Sequence, residues 1–455
     1  MRILHTSDWH LGRTFHGRVL DDAHAAFADH LVELVTAESV DAILVAGDVY
    51  DRAIPPNDAV ALLDETLRRL TERTRVVLTP GNHDSARRLG FAADLMREGL
   101  IIRARTSGLD RGIVLPDADG HDALIVHALP YLDPDAARES LPPLLAERLG
   151  ERVGKEDTGE PGAEAREGAA PAVDDEGVPG EAPGDTPPSA TPARLPRSHE
   201  AVVSAALRLV APDLARLRAG RSSRLPSLLM AHAFVVGGQA SESERDIRVG
   251  GVDSVPAGVF ASLGGSVAAP EAGGVDYVAL GHLHRPQELA RPDAPGGEPG
   301  PRLAYSGSPL AFSFDETGAK SSIIVSLGAQ GVESLERVPT PVTHRVATVR
   351  GTMDELLSPA HDDAAGAWVR AILVGERPPG ALARLKERFP DLLAFSHEAP
   401  ERARRERIAV TSAVDPMTVA EGFLADVTGT SPSPDDLAVM RGAYEAALKT
   451  GRSAR

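Results

Sequence analysis

The stretch that most constrains this chain is an apolar run from Ala42 to Ala46, followed directly by Gly47 and Asp48. An apolar run of about four to eight residues that ends at a turn-forming residue predicts a buried β-strand. In sheets whose parallel strands alternate with helices, chemistry collects at the carboxyl ends of the strands. Asp48 therefore lies where a catalytic or metal-binding carboxylate is expected.

Four other apolar runs end in the same kinds of residue. The polar residues that follow them are Asp8 and His10, then Asn82, His83 and Asp84, then His232, and finally His282 and His284. Aspartate, asparagine and histidine are ligands of hard or borderline metal ions. One such residue after a strand is more often a turn former or a helix cap. Five placements of the same kind in one chain predict a metal site.

This set of side chains is too large for one ion and suits two. The predicted ligands are Asp8, His10, Asp48, Asn82, His232, His282 and His284. Two-metal sites hold their ions about 3.5–4 Å apart and clamp the attacking and leaving oxygens of a phosphoryl displacement. Two cations at that spacing need a bridging carboxylate, and Asp48 is the candidate. Oxygen and imidazole ligands without thiolate favour manganese or iron.

Composition narrows the setting of this chemistry. The 455-residue chain has no cysteine, so it has no zinc–thiolate site and no thiol nucleophile, and it fits a reducing cytoplasm. It shows neither a signal-peptide pattern nor an apolar run of about 18 residues, so we expect no membrane segment. The net charge of −18 is unfavourable for an extended nucleic-acid surface. Any DNA contact must be local or supplied by a partner.

Strands alternate with helices over much of the chain, which predicts an α/β fold. One predicted helix is capped by Asn57 and has the apolar face Val60, Leu63, Leu67 and Leu70. The other predicted helices are Asp22–Ser39, Ala86–Arg97, His199–Leu217, Ala381–Arg388, Pro416–Val427 and Asp435–Leu448. The segment 151–197 is rich in Pro, Gly, Ala and Glu, which predicts a disordered insertion. We expect domains at 1–338, 339–407 and 408–455.

The motifs Asp8-x-His10, Gly47-Asp48-x-x-Asp51, Gly81-Asn82-His83-Asp84, His232 and Gly281-His282-x-His284 resemble the calcineurin-like metallophosphoesterase signature. More narrowly, the chain resembles the SbcD family of nuclease subunits. The matching segments are His5-Thr6-Ser7-Asp8-Trp9-His10-Leu11-Gly12, Ala46-Gly47-Asp48-Val49-Tyr50-Asp51, Gly281-His282-Leu283-His284-Arg285 and Tyr305-Ser306-Gly307-Ser308-Pro309. The resemblance implies a β-sandwich flanked by helices, a small α+β capping domain and C-terminal helices.

The resemblance also implies a role for each site residue. One ion would take Asp8, His10, Asp48 and His284, and the other would take Asp48, Asn82, His232 and His282. His83 would stabilise the transition state or protonate the leaving oxygen. Asp84 would orient His83, and the nucleophile would be a water activated by the ions. The role of Asp51 stays open between the site and a turn.

The expected partners come from the resemblance as well. They are DNA, an SbcC-type coiled-coil ATPase bound by the terminal helices, and a second copy of the chain within a heterotetramer. Candidate dimer surfaces are Asn57–Leu70 and Ala86–Arg97, and the capping domain would help to select DNA. The implied function is double-strand exonuclease and single-strand or hairpin endonuclease activity in DNA repair, recombination and replication. The alternatives are a small-molecule phosphodiesterase of the same superfamily and a non-catalytic scaffold on this fold.

Overall fold

The computed structural model describes residues 1–96, 98–150, 194–244, 254–263, 274–399, 416–428 and 432–452. The elements of the first region are β1 Arg2–Thr6, β2 Thr14–Phe15, β3 Arg18–Val19, α1 Asp21–Ala37, β4 Ala42–Ala46, α2 Asn57–Thr71, β5 Arg75–Thr79, α3 Ala86–Leu89, β6 Leu100–Ile102, β7 Ile113–Pro116 and β8 Asp122–Ala128. Those of the middle region are α4 Pro134–Leu149, α5 His199–Arg218, β9 Ser227–His232, α6 Ala257–Ala261, β10 Tyr277–Gly281, β11 Gln287–Glu288, β12 Arg302–Tyr305, β13 Ser321–Gly328 and β14 Gly331–Pro339. The last region holds β15 Val346–Gly351, α7 Met353–Leu357, β16 Trp368–Val374, α8 Ala381–Arg388, β17 Leu392–Glu398, α9 Pro416–Thr428 and α10 Pro434–Arg452.

Two six-stranded sheets form the centre of the fold. Their strand orders are β14-β13-β1-β4-β5-β6 and β11-β12-β10-β9-β8-β7. In the first sheet β1, β4, β5 and β6 are parallel, and in the second β8, β9, β10 and β12 are parallel. The carboxyl ends of the parallel strands therefore gather along one edge of each sheet.

The two sheets pack face to face, with helices on both outer faces. Aliphatic side chains from both sheets, such as Ile3, Leu44 and Met230, form the core between them. Helices α1 and α2 pack on the outer face of the first sheet, and α4 and α5 pack on that of the second. The predicted α/β sandwich flanked by helices is confirmed.

Helix α2 buries most of the predicted apolar face, with Leu63 and Leu70 inside and Leu67 partly buried, but Val60 departs from the prediction. It begins at Asn57 and has Pro56 at its N-cap position, so Asn57 is not the cap. Val60 is 44% exposed, whereas Ala59, Leu63 and Leu70 are buried. The turn at Gly12 lies so close that a β-carbon on Gly12 would be 3.2 Å from the Ala59 side chain. Close packing of the loop after β1 thus decides which side of α2 faces inward.

The helix predicted over 86–97 is wrong in extent. Only one turn, α3, forms, and a short 3-10 helix follows at Ala93–Leu95. Gly90 ends α3, where a β-carbon would lie 2.6 Å from the side chain of Ala104. Ala92 has a φ of 58°, a left-handed conformation that no α-helix continues through.

Helix α4 is not among the predicted helices, and it contains Pro142 and Pro143, which are unfavourable inside a helix. It starts at the N-cap Asp133, whose carboxylate accepts two backbone N–H groups. Most of the predicted disordered insertion, residues 151–193, lies outside the described residues. Its last part is ordered, since Leu195 is 7% exposed and Arg197 pairs with Asp135 at 2.5 Å. Residues 194–197, which were predicted to belong to the insertion, are therefore part of the ordered structure.

Residues 346–398 form a separate three-stranded parallel sheet of β15, β16 and β17, covered by α7 and α8. Trp368 of this unit packs against Phe15 of the sandwich region, with ring centroids 5.3 Å apart, and Arg370 pairs with Glu242 at 2.7 Å. Helices α9 and α10 contact each other. The basic residues from Arg402 to Arg407 fall outside the described residues, and the three domain boundaries stay predictions. In the described part of the chain, no helix combines the length and hydrophobicity needed to cross a bilayer.

Candidate metal centre

All seven predicted ligands lie where the carboxyl edges of the two sheets meet. Asp8, His10, Asp48 and Asn82 follow β1, β4 and β5 of the first sheet, while His232, His282 and His284 lie at the ends of β9 and β10 of the second. Six of them are buried and Asn82 is half-buried. Packing of one sheet on the other thus brings together side chains that are up to 276 positions apart, from Asp8 to His284.

Four of these residues have a backbone conformation that side chains rarely adopt. The φ angles are 54° at Asp8, 47° at His10, 48° at Asp48 and 106° at His282. Such angles are unfavourable for residues with a β-carbon and concentrate at functional sites. Two hydrogen bonds join the turn after β1 to the turn after β4. They run from Asp8 N to the Gly47 carbonyl and from His10 N to the Asp48 carbonyl, and each is 3.0 Å long. The strained turns point the side chains into the space between the sheets.

The first group of ligand atoms comes from Asp8, His10 and His284, whose atoms lie within 4.8 Å of one another. The Nε2 atoms of His10 and His284 are only 3.1 Å apart. Burial lowers the pKa of His10 to about 3, so its ring is neutral at ordinary pH. Two imidazoles that present nitrogen atoms to the same point are suited to share a cation.

The second group lies on the other side of Asp48. The Asn82 Oδ1 atom is 2.9 Å from His232 Nε2 and 3.2 Å from His282 Nδ1. The Asp48 Oδ2 atom is 3.4 Å from His232 Nε2 and 3.6 Å from His10 Nε2. Asp48 therefore faces both groups at once.

Electrostatics at Asp48 favour a positive charge in this space. Burial opposes ionisation of the carboxyl, but the neighbouring His232 and His10 hold the pKa of Asp48 well below its usual range. Burial likewise disfavours a charged His232, yet the Asp48 carboxylate raises the pKa of that histidine to about 9. Burial and His232 keep the pKa of His282 well below its usual range. A buried carboxylate among nitrogen and oxygen ligands, with no thiolate in the chain, fits a divalent cation.

His83 lies beside the two groups and is 8% exposed. Its ring centroid is 4.6 Å from that of His10, and its backbone N–H donates to Asp48 Oδ1 at 2.8 Å. The Nδ1 atom is 2.7 Å from the Asp51 carbonyl oxygen. The ring is thus next to the ligand groups and has a defined orientation.

Asp84 acts on the backbone of the same turns. Its carboxylate accepts the N–H groups of Gly81, Val49 and Tyr50 at 2.9–3.0 Å. Burial and the charge of Asp48 raise the pKa of Asp84 to about 7, while the three N–H groups oppose that rise. Asp84 joins the turns after β4 and β5, so its predicted effect on His83 would pass through this backbone.

Sequence reasoning missed a second layer of polar side chains. The Asp51 carboxylate, whose role was left open, lies 3.6 Å from His10 Nδ1 and 3.2 Å from Arg13. Ser243 lies 2.5 Å from His284 Nδ1, and Glu244 accepts the backbone N–H of His284 at 2.8 Å. Ser243 and Glu244 belong to a polar loop without periodicity. The sequence signals near this layer were Asp51, in the family signature, and the Tyr305–Pro309 motif, whose Ser308 accepts a hydrogen bond from Lys320 behind His284.

Comparison with known proteins agrees with this geometry. The profile of the calcineurin-like phosphoesterase family matches residues 1–133. The SbcD subunit of the nuclease SbcCD from Rhodobacter capsulatus is 32% identical over 431 residues, which cover 89% of each chain. The Escherichia coli K12 protein of the same name is 30% identical over 78% of this chain and 72% of its own, and that of strain O157:H7 gives the same figures.

The fold is that of a calcineurin-like phosphoesterase. Within that class, the extent of the similarity shows that the chain belongs to the SbcD family, the nuclease subunits of SbcCD.

Proposed function

We propose that this chain is a metal-dependent DNA nuclease that hydrolyses phosphodiesters as the SbcD component of an SbcCD-type complex. The observation that carries the proposal is the convergence of the six other ligand side chains around Asp48, in a chain whose relatives are named as nuclease subunits. A non-catalytic scaffold would have no need for this set or for the strained turns that aim it.

The two ligand groups support two ions that share Asp48. One would be held by Asp8, His10 and His284, and the other by Asn82, His232 and His282, in agreement with the distances above. Manganese suits these oxygen and imidazole ligands. When bound, such ions activate water and neutralise charge on the phosphate.

His83 is the residue proposed to act on the substrate. With its Nδ1 directed at the Asp51 carbonyl, Nε2 is the ring nitrogen assigned to the phosphate or the leaving oxygen. From there it would stabilise charge or donate a proton. Asp84 holds the turn on which His83 sits.

The wider assembly is also part of the proposal. Phe423 and Val439 on α9 and α10 are 67% and 73% exposed, and they fit a surface for an SbcC-type coiled-coil ATPase. Phe91 and Leu95 are 80% and 83% exposed, and they fit a homodimer contact within a heterotetramer.

The unit at 346–398 lies beside the site and would cap it over DNA. The proposed activities are exonuclease and hairpin endonuclease cleavage in DNA repair, recombination and replication. The proposed location is the cytoplasm.

The test is cleavage of linear duplex and hairpin DNA with manganese, with and without the partner ATPase and ATP. We expect cleavage that requires the metal and is lost in Asp48→Asn. Hydrolysis of a small phosphodiester without DNA cleavage, even with the partner, would favour the small-molecule enzyme. Hydrolysis of neither substrate would favour the scaffold.

A further inference from the structure

A buried polar cluster lies behind the ring of His284, on its Nδ1 side. The Nδ1 atom is 2.5 Å from the hydroxyl oxygen of Ser243, and that hydroxyl donates to the carboxylate of Glu316. The Lys320 ammonium pairs with the same carboxylate. Glu316 and Lys320 are only 3% and 6% exposed.

A buried ion pair is costly to desolvate, so the residues that it contacts indicate what role the pair has. Here both charges of the pair are linked to His284. Lys320 Nζ donates to the His284 carbonyl oxygen at 2.9 Å, while Ser243 connects Glu316 to the His284 ring. With Glu244 on the backbone N–H, His284 is held at its ring, its carbonyl and its amide.

The directions of these hydrogen bonds define which ring nitrogen carries the proton. The Glu316 carboxylate pairs with the Lys320 ammonium and lies at hydrogen-bond distance from the Ser243 hydroxyl, and a carboxylate in such a pair only accepts. Ser243 must then donate to Glu316, which leaves its oxygen to accept from His284 Nδ1–H. The Nε2 lone pair therefore points towards His10, 3.1 Å away.

We propose that Glu316, acting through Ser243 and balanced by Lys320, is a positioning residue that fixes His284 as an Nε2 metal ligand. The inference rests on the metal site of the proposed function and does not depend on DNA as substrate. Such outer partners of a metal-binding histidine typically change metal affinity about 10–100-fold.

The experiment is calorimetric titration of the full chain with Mn²⁺. Glu316→Gln keeps the size of the side chain and removes its charge, and we expect one of two ions to bind about 10–100-fold more weakly while the other is unchanged. Ser243→Ala should give a similar loss of Mn²⁺ affinity. The double variant should bind Mn²⁺ no more weakly than the single variant with the lower affinity. Ser243→Ala decides the matter alone if Glu316→Gln does not fold.

The matched control is Asp276→Asn, which breaks a buried pair with Arg224, 2.9 Å long, before the start of β10. It should lower the melting temperature without changing Mn²⁺ affinity. Wild-type affinity for both ions in Glu316→Gln or Ser243→Ala, or additive losses in the double variant, would overturn the inference and leave the proposed function intact. A wild-type chain that binds no Mn²⁺ would overturn both.

Discussion

Gly81 lies so close to Asp48 that a β-carbon on Gly81 would be 2.2 Å from the Asp48 Oδ1 atom. This close approach lets the turn after β5 bring the His83 N–H to the same oxygen, at 2.8 Å. Asp48 is in turn the residue that faces both ligand groups. The absence of a side chain at Gly81 therefore sets the spacing of the whole centre.

Gly81→Ala should displace Asp48, because the added carbon would overlap both the carboxylate and the backbone nitrogen of that residue. A misplacement of about 1 Å at a reactive centre costs about 10²-fold in rate. We expect reduced Mn²⁺ stoichiometry by elemental analysis and a rate loss of at least that order. Gly108→Ala, with nothing within 4 Å of the added carbon, is the control. Unchanged stoichiometry in Gly81→Ala would contradict the prediction.

Manganese-soaked crystals should show two anomalous peaks, one on each side of Asp48, because its Oδ2 atom lies 3.4 Å and 3.6 Å from a histidine of each group. Asp48→Asn should weaken both peaks together, since the amide lacks the bridging charge. A single ion bound without Asp48 would refute the two-metal assignment.

His83→Ala should keep both metals and lose rate by about 10²–10⁴-fold, the usual contribution of an acid–base group. The reason is that the His83 ring lies next to the ligand groups and is held by the Asp51 carbonyl. Manganese stoichiometry, melting temperature and cleavage rate should be measured on one preparation. A rate that falls only in proportion to lost metal would mean that His83 is structural.

Deletion of residues 151–193 should leave manganese-dependent cleavage of a model phosphodiester near wild type. The Pro- and Gly-rich composition of this segment predicts no contribution to the apolar core, and the two helices that it joins, α4 and α5, carry none of the seven ligands. Arg194–Arg197 should be kept, because Leu195 and Arg197 are anchored. Complete loss of activity in a protein with an unchanged circular dichroism spectrum would disprove this.

Stability should fall in acid through Asp213. Burial disfavours its charge, but hydrogen bonds from His127, at 2.9 Å, and Gly112 lower the pKa of Asp213 to about 2. The unfolded value is about 3.9, so the stabilisation is complete above that pH and is lost as pH falls towards 2. Asp213→Asn should therefore be less stable near pH 6 and lose less on acidification than wild type. Melting curves at several pH values test this prediction, with Asp119→Asn at an exposed position as control. The same pH dependence of stability in Asp213→Asn and wild type would contradict the prediction.

The sequence by itself determined the strands that carry the site and the seven ligand candidates. Short buried strands in parallel sheets have a strong local pattern, and a polar residue after each one is visible without any tertiary contact. The family motifs then predicted the fold class, which the structure confirmed. Because carboxyl ends of parallel strands meet at one edge, repetition of Asp8, Asp48 and His284 was enough to predict a common site.

Tertiary structure decided what has no local pattern. Val60 is exposed and Ala59 buried because the loop after β1 packs against α2, a contact that helical periodicity does not contain. Ser243 and Glu316 are 73 positions apart and meet only because two loops converge behind His284. Polar loop residues follow neither a helical nor a strand period, so their partners are defined only when the sheets pack together.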